Sequence, residues 1–217
     1  MNKISIHALI RSTAAMLAAL SAMSCSEEYA AGIGSDDGRI EVRIAAPTTR
    51  TSIADDGMTG IWTKGDKIAL WAFEGQSAIF AAETFSLWHT KPDLSDACFS
   101  ARIAPMAAGR YDYYAVSPAP AAVAGSTVTY EIPSTQDGSW NGALDIMHAT
   151  TQGAELTEGL NELVLDFRHK VHALRITVPE GRNRFGSAVE RLVIAIPQEE
   201  APHLTIDPAT PDAATTL

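Results

Sequence analysis

Cysteine is nearly missing from this chain: there are two, Cys25 and Cys98, in 217 residues. That count excludes the disulfide framework that staples small secreted domains, so stability must come from an apolar core. Basic residues are also few. Lysine and arginine number 16 against 26 aspartates and glutamates, a formal net charge of −10. A surface of that sign repels nucleic acid and anionic headgroups, and no basic stripe is present to track a phosphate backbone. Nucleic-acid partners are therefore not expected. The apolar run at residues 13–23 is too short to cross a bilayer, which takes roughly 20 apolar residues. The usual enzymatic signatures are absent as well. The sequence has no G-x-S-x-G elbow, no G-x-G-x-x-G behind a strand, no phosphate-binding loop, no H-E-x-x-H and no C-x-x-C. Neither a catalytic centre nor a cofactor is expected.

What is present begins with an address. Lys3 and Arg11 precede the Ala/Leu/Met-rich run, and no acidic residue occurs before Glu27, which describes a secretory signal peptide. The segment Ala22-Met23-Ser24-Cys25 resembles a bacterial lipobox, in which the cysteine thiol is acylated and becomes the first mature residue; Leu20 lies two residues further from it than the usual leucine. Ser26-Glu27-Glu28 resembles the acidic signal that sends lipoproteins of Bacteroidota to the outer face of the outer membrane. Cys25 is thus the expected lipidation site, and acylation would leave Cys98 without a partner in the chain. Residues 1–24 are read as the signal peptide and residues 25–38, polar and glycine-rich, as the lipidated tether.

Order is expected from "RIEVRIAA". Ile40, Val42 and Ile44 alternate with Arg39, Glu41 and Arg43, the period of a half-buried strand. "DKIALWAF" at 66–73 is apolar on both faces, as a central strand is. Further strands are expected at 110–118, 126–133, 162–169, 171–179 and 190–197, divided by glycine and proline turn signals. "NGALDIMHAT" (141–150) reads as one short helix. Many short strands without βαβ alternation predict an all-β fold, an antiparallel β-sandwich. Residues 39–178 are assigned to an N-terminal β-sandwich domain. Residues 179–217 are assigned to the beginning of a second β domain, truncated because "HLTI" and a proline turn close no core.

Local signals for a site are weak. His169 and His172 are three apart on strand-like sequence, a spacing that points them to opposite faces rather than at one metal. Asp36-Asp37-Gly38 and Asp55-Asp56-Gly57 carry carboxylates of the calcium-binding type, but aspartate before glycine is first of all turn chemistry. Trp71 belongs to an apolar strand and reads as core. Trp62, Trp88 and Trp140 lie in loop-like sequence, where a sugar-stacking platform is the functional alternative.

Six pieces in order carry a resemblance: "TRTS" (49–52), "IWTKGDKIALWA" (61–72), "RYDYYAVSP" (110–118), "IPSTQDG" (132–138), "DIMHA" (145–149) and "LDFRHKVHALRITV" (165–178). Together they are similar to the fimbrillin-like proteins of Bacteroidales. The resemblance implies two transthyretin-like β-sandwich domains in tandem and a cell-surface lipoprotein precursor of a type V pilus subunit, or of an accessory, anchor or tip protein. It also implies assembly by strand exchange with other pilus subunits, after a protease cutting at arginine or lysine removes the first strand. In this sequence that strand is 39–46, with Ile40, Val42 and Ile44 as its apolar plug, and the expected cut follows Arg50 in the polar "PTTRTS". Arg43 is the weaker site because it lies within the strand. The alternative is a non-polymerising surface lipoprotein of the same fold, binding glycan or a host ligand.

Overall fold

The computed structural model describes residues 39–46, 52–53, 60–91, 96–156, 161–179, 181–184, 186, 188–190, 192–193 and 203–208. Twelve strands occur among them: β1 (Ile40–Ala46), β2 (Ser52–Ile53), β3 (Gly60–Ile61), β4 (Lys67–Glu74), β5 (Ser77–Thr90), β6 (Ala97–Ile103), β7 (Gly109–Ser117), β8 (Val128–Glu131), β9 (Met147–Leu156), β10 (Asn161–Val164), β11 (Arg168–His169) and β12 (His203–Ile206). Eight form one sheet in the order β10-β1-β6-β5-β4-β7-β9-β11. The ribbons β8–β12 and β2–β3 stand apart from it. The fold is all-β, with a curled main sheet and a small second sheet, and contains no α-helix among the described residues.

Period-2 alternation decides which side chains go where. On β4, Ile68, Leu70 and Ala72 face one core, while Ala69, Trp71 and Phe73 face another. On β7, Tyr111, Tyr113 and Ala115 join the first core, and Val116 with the partly buried Tyr114 joins the second. The first core fills the inside of the curl. The second lies between the outer face of β4–β7 and the β8–β12 ribbon, which contributes Val128, Tyr130, Leu204 and Ile206. A strand without a polar face is stable only when covered on both sides, and β4 meets that condition.

Several features depart from the expected ones. The main sheet is mixed: β1 pairs antiparallel with β6 but parallel with β10. β10 forms one end of that sheet and β9 lies next to its other end, and the curl brings the two strands near each other across its mouth. Thr151 on β9 donates to the Val164 carbonyl at 3.0 Å across that mouth. The expected helix at 141–150 is a single 3-10 turn, Gly142–Leu144, capped by the Asn141 side chain accepting from the Ala143 N–H at 3.0 Å. Strand β9 begins directly after it. Residues 171–179 hold the alternation of a strand, yet no strand pairs with them among the described residues, and Leu174 and Val178 are exposed. The last buried residue before them is Phe167. His203–Ile206, from the stretch assigned to a second domain, pairs with β8 and buries Leu204 and Ile206 in the second core.

Candidate functional site

The strand expected to be removable is seated between two partners. β1 aligns with β6 from Ile40↔Ile103 to Ala46↔Ala97, and with β10 from Val42↔Asn161 to Ala45↔Val164. The ladder continues beyond β10, where the Leu165 N–H donates to the Ala45 carbonyl at 2.9 Å. Val42, Ile44 and Ala46 are fully buried in the first core with Trp62, Phe99, Leu163 and Leu165, and Ile40 packs against its rim. The three residues read as a plug therefore share one face and one core.

The opposite face of β1 is polar and closed. Arg43 is only 3% exposed. Its Nε donates to Glu41 Oε1 at 3.0 Å, and its guanidinium carbon lies 4.3 Å from the centre of the Trp88 ring. Burying a cation without compensation is costly; the carboxylate and the electron-rich ring face provide it here. Arg43 is thus closed to a protease that must extend its substrate. Arg50, Cys25 and both Asp-Asp-Gly turns lie outside the described residues. Cys98 is fully buried on β6, at the register position of Ala45 on β1.

The recurrent motifs build the frame around β1. In "IWTKGD", Gly65 takes a φ of +102°, which suits glycine, and the Asp66 carboxylate accepts from the Thr63 N–H at 2.7 Å, setting the entry to β4. In "YYAVSP", the Ser117–Pro118 peptide is cis, and the Tyr130 hydroxyl donates to the Pro118 carbonyl at 2.6 Å. Burial pushes the Tyr130 phenol well above its ordinary value, keeping it a donor. Tyr130→Phe is expected to cost about 0.5–1.5 kcal/mol, read as a lower urea midpoint at unchanged slope.

"DIMHA" and "FRHK" meet in space. His169 Nδ1 lies 2.7 Å from Asp145 Oδ1, tying β11 to the turn before β9, and Lys170 N–H donates to the Ile146 carbonyl at 2.8 Å. Asp145 is 4% exposed, and its Oδ2 has no hydrogen-bond partner among the described residues. Burial pushes the Asp145 carboxyl above its ordinary value, with His169 pulling partly the other way. A carboxyl whose pKa is higher folded than unfolded favours the fold while protonated. Its contribution is complete below the ordinary value of 3.8 and is lost as pH rises through the raised one. The stability of wild type relative to Asp145→Asn is therefore expected to fall between pH 3 and pH 7 in thermal melts. A difference that is flat with pH contradicts this.

The tryptophans do not form one platform. Trp62 and Trp71 are fully buried on different cores, while Trp88 and Trp140 are partly exposed. His169 is engaged by Asp145, His172 is exposed, and no group of three His, Cys, Asp or Glu is placed to hold a metal among the described residues. The contact of Trp88 with Arg43 is one that sequence reasoning missed. It sits where the β5–β6 register shifts between Leu87 and His89, and such a bulge re-aims a side chain in a way that period 2 does not show.

The arrangement is a strand that plugs a core, framed by motifs that shape turns. A protein-family model described as fimbrillin-like matches residues 49–209. The chain belongs to the fimbrillin-like family. No curated protein matches it. Among solved structures, it is similar to a proposed cell adhesion protein from Bacteroides uniformis, with 18% identity and a TM-score of 0.45 over 63% of this chain and 49% of that one. It is also similar to a fimbrial protein from Bacteroides ovatus, with 14% identity and a TM-score of 0.40 over 61% of this chain and 28% of that one. The chain thus spans about half, or less, of these relatives' lengths.

Proposed function

We propose that this fimbrillin-like chain is the surface lipoprotein precursor of a type V pilus subunit, or of a pilus accessory, anchor or tip protein, serving adhesion. Its partners are other pilus subunits, joined by strand exchange, and the outer membrane, joined through acylated Cys25. After processing it resides in the fimbrium. One observation carries the reading: β1, the first strand among the described residues, plugs the core with Val42 and Ile44 and fills a slot between β6 and β10. Removing such a strand leaves two rows of backbone donors and acceptors and an apolar floor, and a neighbour's strand satisfies both. In this reading residues 179–217 lead into a second β domain while His203–Ile206 themselves pair with β8, and the exposed Leu174, Ile176 and Val178 are side chains that a further β layer would cover.

The test treats purified precursor with an arginine-specific protease, reads the new N-terminus and follows assembly by size. The expected result is an N-terminus at Thr51 and multimers that resist mild denaturation. Assembly by Arg50→Ala as efficient as wild type overturns the assignment of the cut. An uncut lipoprotein that stays whole at the surface favours the anchor role or the ligand-binding alternative. Metabolic labelling with a palmitate analogue tests the anchor: label is expected on wild type and not on Cys25→Ala.

A further inference from the structure

Trp88 belongs to β5, two strands away from β1, with β6 between them. Neighbouring strands lie about 4.8 Å apart, so a side chain on β1 that meets one on β5 must pass over β6. Arg43 does so because its register partner on β6 is the small Ser100, which is itself opposite Ser86 on β5. The bulge between Leu87 and His89 places Trp88 where the guanidinium arrives. Glu41, a carboxylate partner of Arg43, is on the same strand and leaves with it. What remains beside the vacated slot includes the ring of Trp88, whose face carries the negative end of its quadrupole, and Glu162 on β10, the register partner of position 43.

We propose that the β1 slot selects its occupant by charge as well as by shape: Trp88 reads the residue at the Arg43 position, and the slot accepts a donor strand from a neighbouring subunit that carries an apolar–basic–apolar triplet in place of Val42-Arg43-Ile44. The inference rests on the strand-exchange reading and adds to it a rule for which strands exchange. The two apolar positions are dictated by the inner core, where Val42 and Ile44 have no exposed surface. The middle position is dictated by the outer face. A lysine or arginine there stacks on the ring, whereas a glutamate meets its negative face and an apolar residue gains no charge attraction.

The experiment uses the full chain with a single engineered protease site within residues 47–51, cut and then offered labelled synthetic peptides of residues 39–48. Wild-type and Arg43→Lys peptides are expected to bind, with Arg43→Glu weaker by roughly threefold to thirtyfold, the range a cation–π contact supplies. In a Trp88→Leu chain the difference between these peptides is expected to shrink, while an Ile44→Ser peptide stays excluded by both chains. Equal binding of the Arg43→Glu peptide, or an unchanged ratio in Trp88→Leu, overturns the inference. If the cut chain takes no peptide at all, strand exchange itself has failed. The stack is then read on uncut chain by hydrogen exchange: faster exchange of the β1 amides in Trp88→Leu supports it, and unchanged exchange overturns it.

Discussion

A precursor stripped of β1 is expected to lose several kcal/mol of stability and to regain them when a matching strand is supplied. Val42 and Ile44 have no exposed surface in the intact fold. Burying a side chain of that size is worth about 1.5–3 kcal/mol, so the two account for roughly 3–6 kcal/mol before any backbone bond is counted. Each ladder hydrogen bond to β6 or β10 adds about 0.5–1.5 kcal/mol net. Domains of ordinary stability hold only about 5–15 kcal/mol in total, so the stripped chain sits near the edge of unfolding. Cleavage alone is expected to change little, because the cut strand stays in its slot until a competitor displaces it. The measurement is a urea titration of intact, cut, stripped and peptide-restored chain. Ile44→Ala in the uncut precursor gives the corresponding point estimate, about 2–5 kcal/mol. A stripped chain that unfolds at the same urea concentration as the intact one removes β1 from the plug role.

Much of this architecture was legible in the sequence, for identifiable reasons. The alternation of Ile40, Val42 and Ile44 marked β1 and its buried face. The doubly apolar run at 66–73 marked β4 as a strand with a core on each side. Adjacent Tyr113 and Tyr114 go to opposite faces as alternation requires. Strands β5, β6 and β9 were not legible. "SAIFAAETFSLWHT", "ACFSARI" and "MHATTQGAEL" are rich in alanine, serine and other small or polar residues, and β5 buries Phe85 alone among its members. Their neighbours make them strands more than their own propensities do. The stretch at 171–179 errs the other way: its pattern is that of a strand, but a strand also needs a partner to bond. The candidate site divides similarly. Its apolar plug follows from local periodicity, whereas the Arg43–Trp88 stack joins residues two strands apart through a register shift. The Asp145–His169 contact joins two recognisable motifs whose approach only the folded topology reveals.

Trp62→Ala is expected to be among the most damaging single substitutions in the described fold, costing about 3–5 kcal/mol. Trp62 precedes the Asp66 turn in sequence that carries no strand pattern, yet it is fully buried. Its ring meets Phe99 on β6 edge-on, with centroids 4.9 Å apart, and Phe167 near the exit of the chain at 6.1 Å. It therefore links the entry to β4, the strand beside β1 and the segment after β10 within one core. Deleting it opens a cavity whose walls include Phe99 on the ladder-held β6, so collapse around the gap is limited. The indole N–H has no hydrogen-bond partner among the described residues, and its burial is a cost the fold bears. Trp62→Phe removes that cost while keeping an aromatic ring against Phe99, so its loss is expected to be well below that of alanine. Urea denaturation of the two variants beside wild type checks both statements. A phenylalanine variant as unstable as the alanine one would show that the indole hydrogen is satisfied in solution and that ring packing is not what Trp62 supplies.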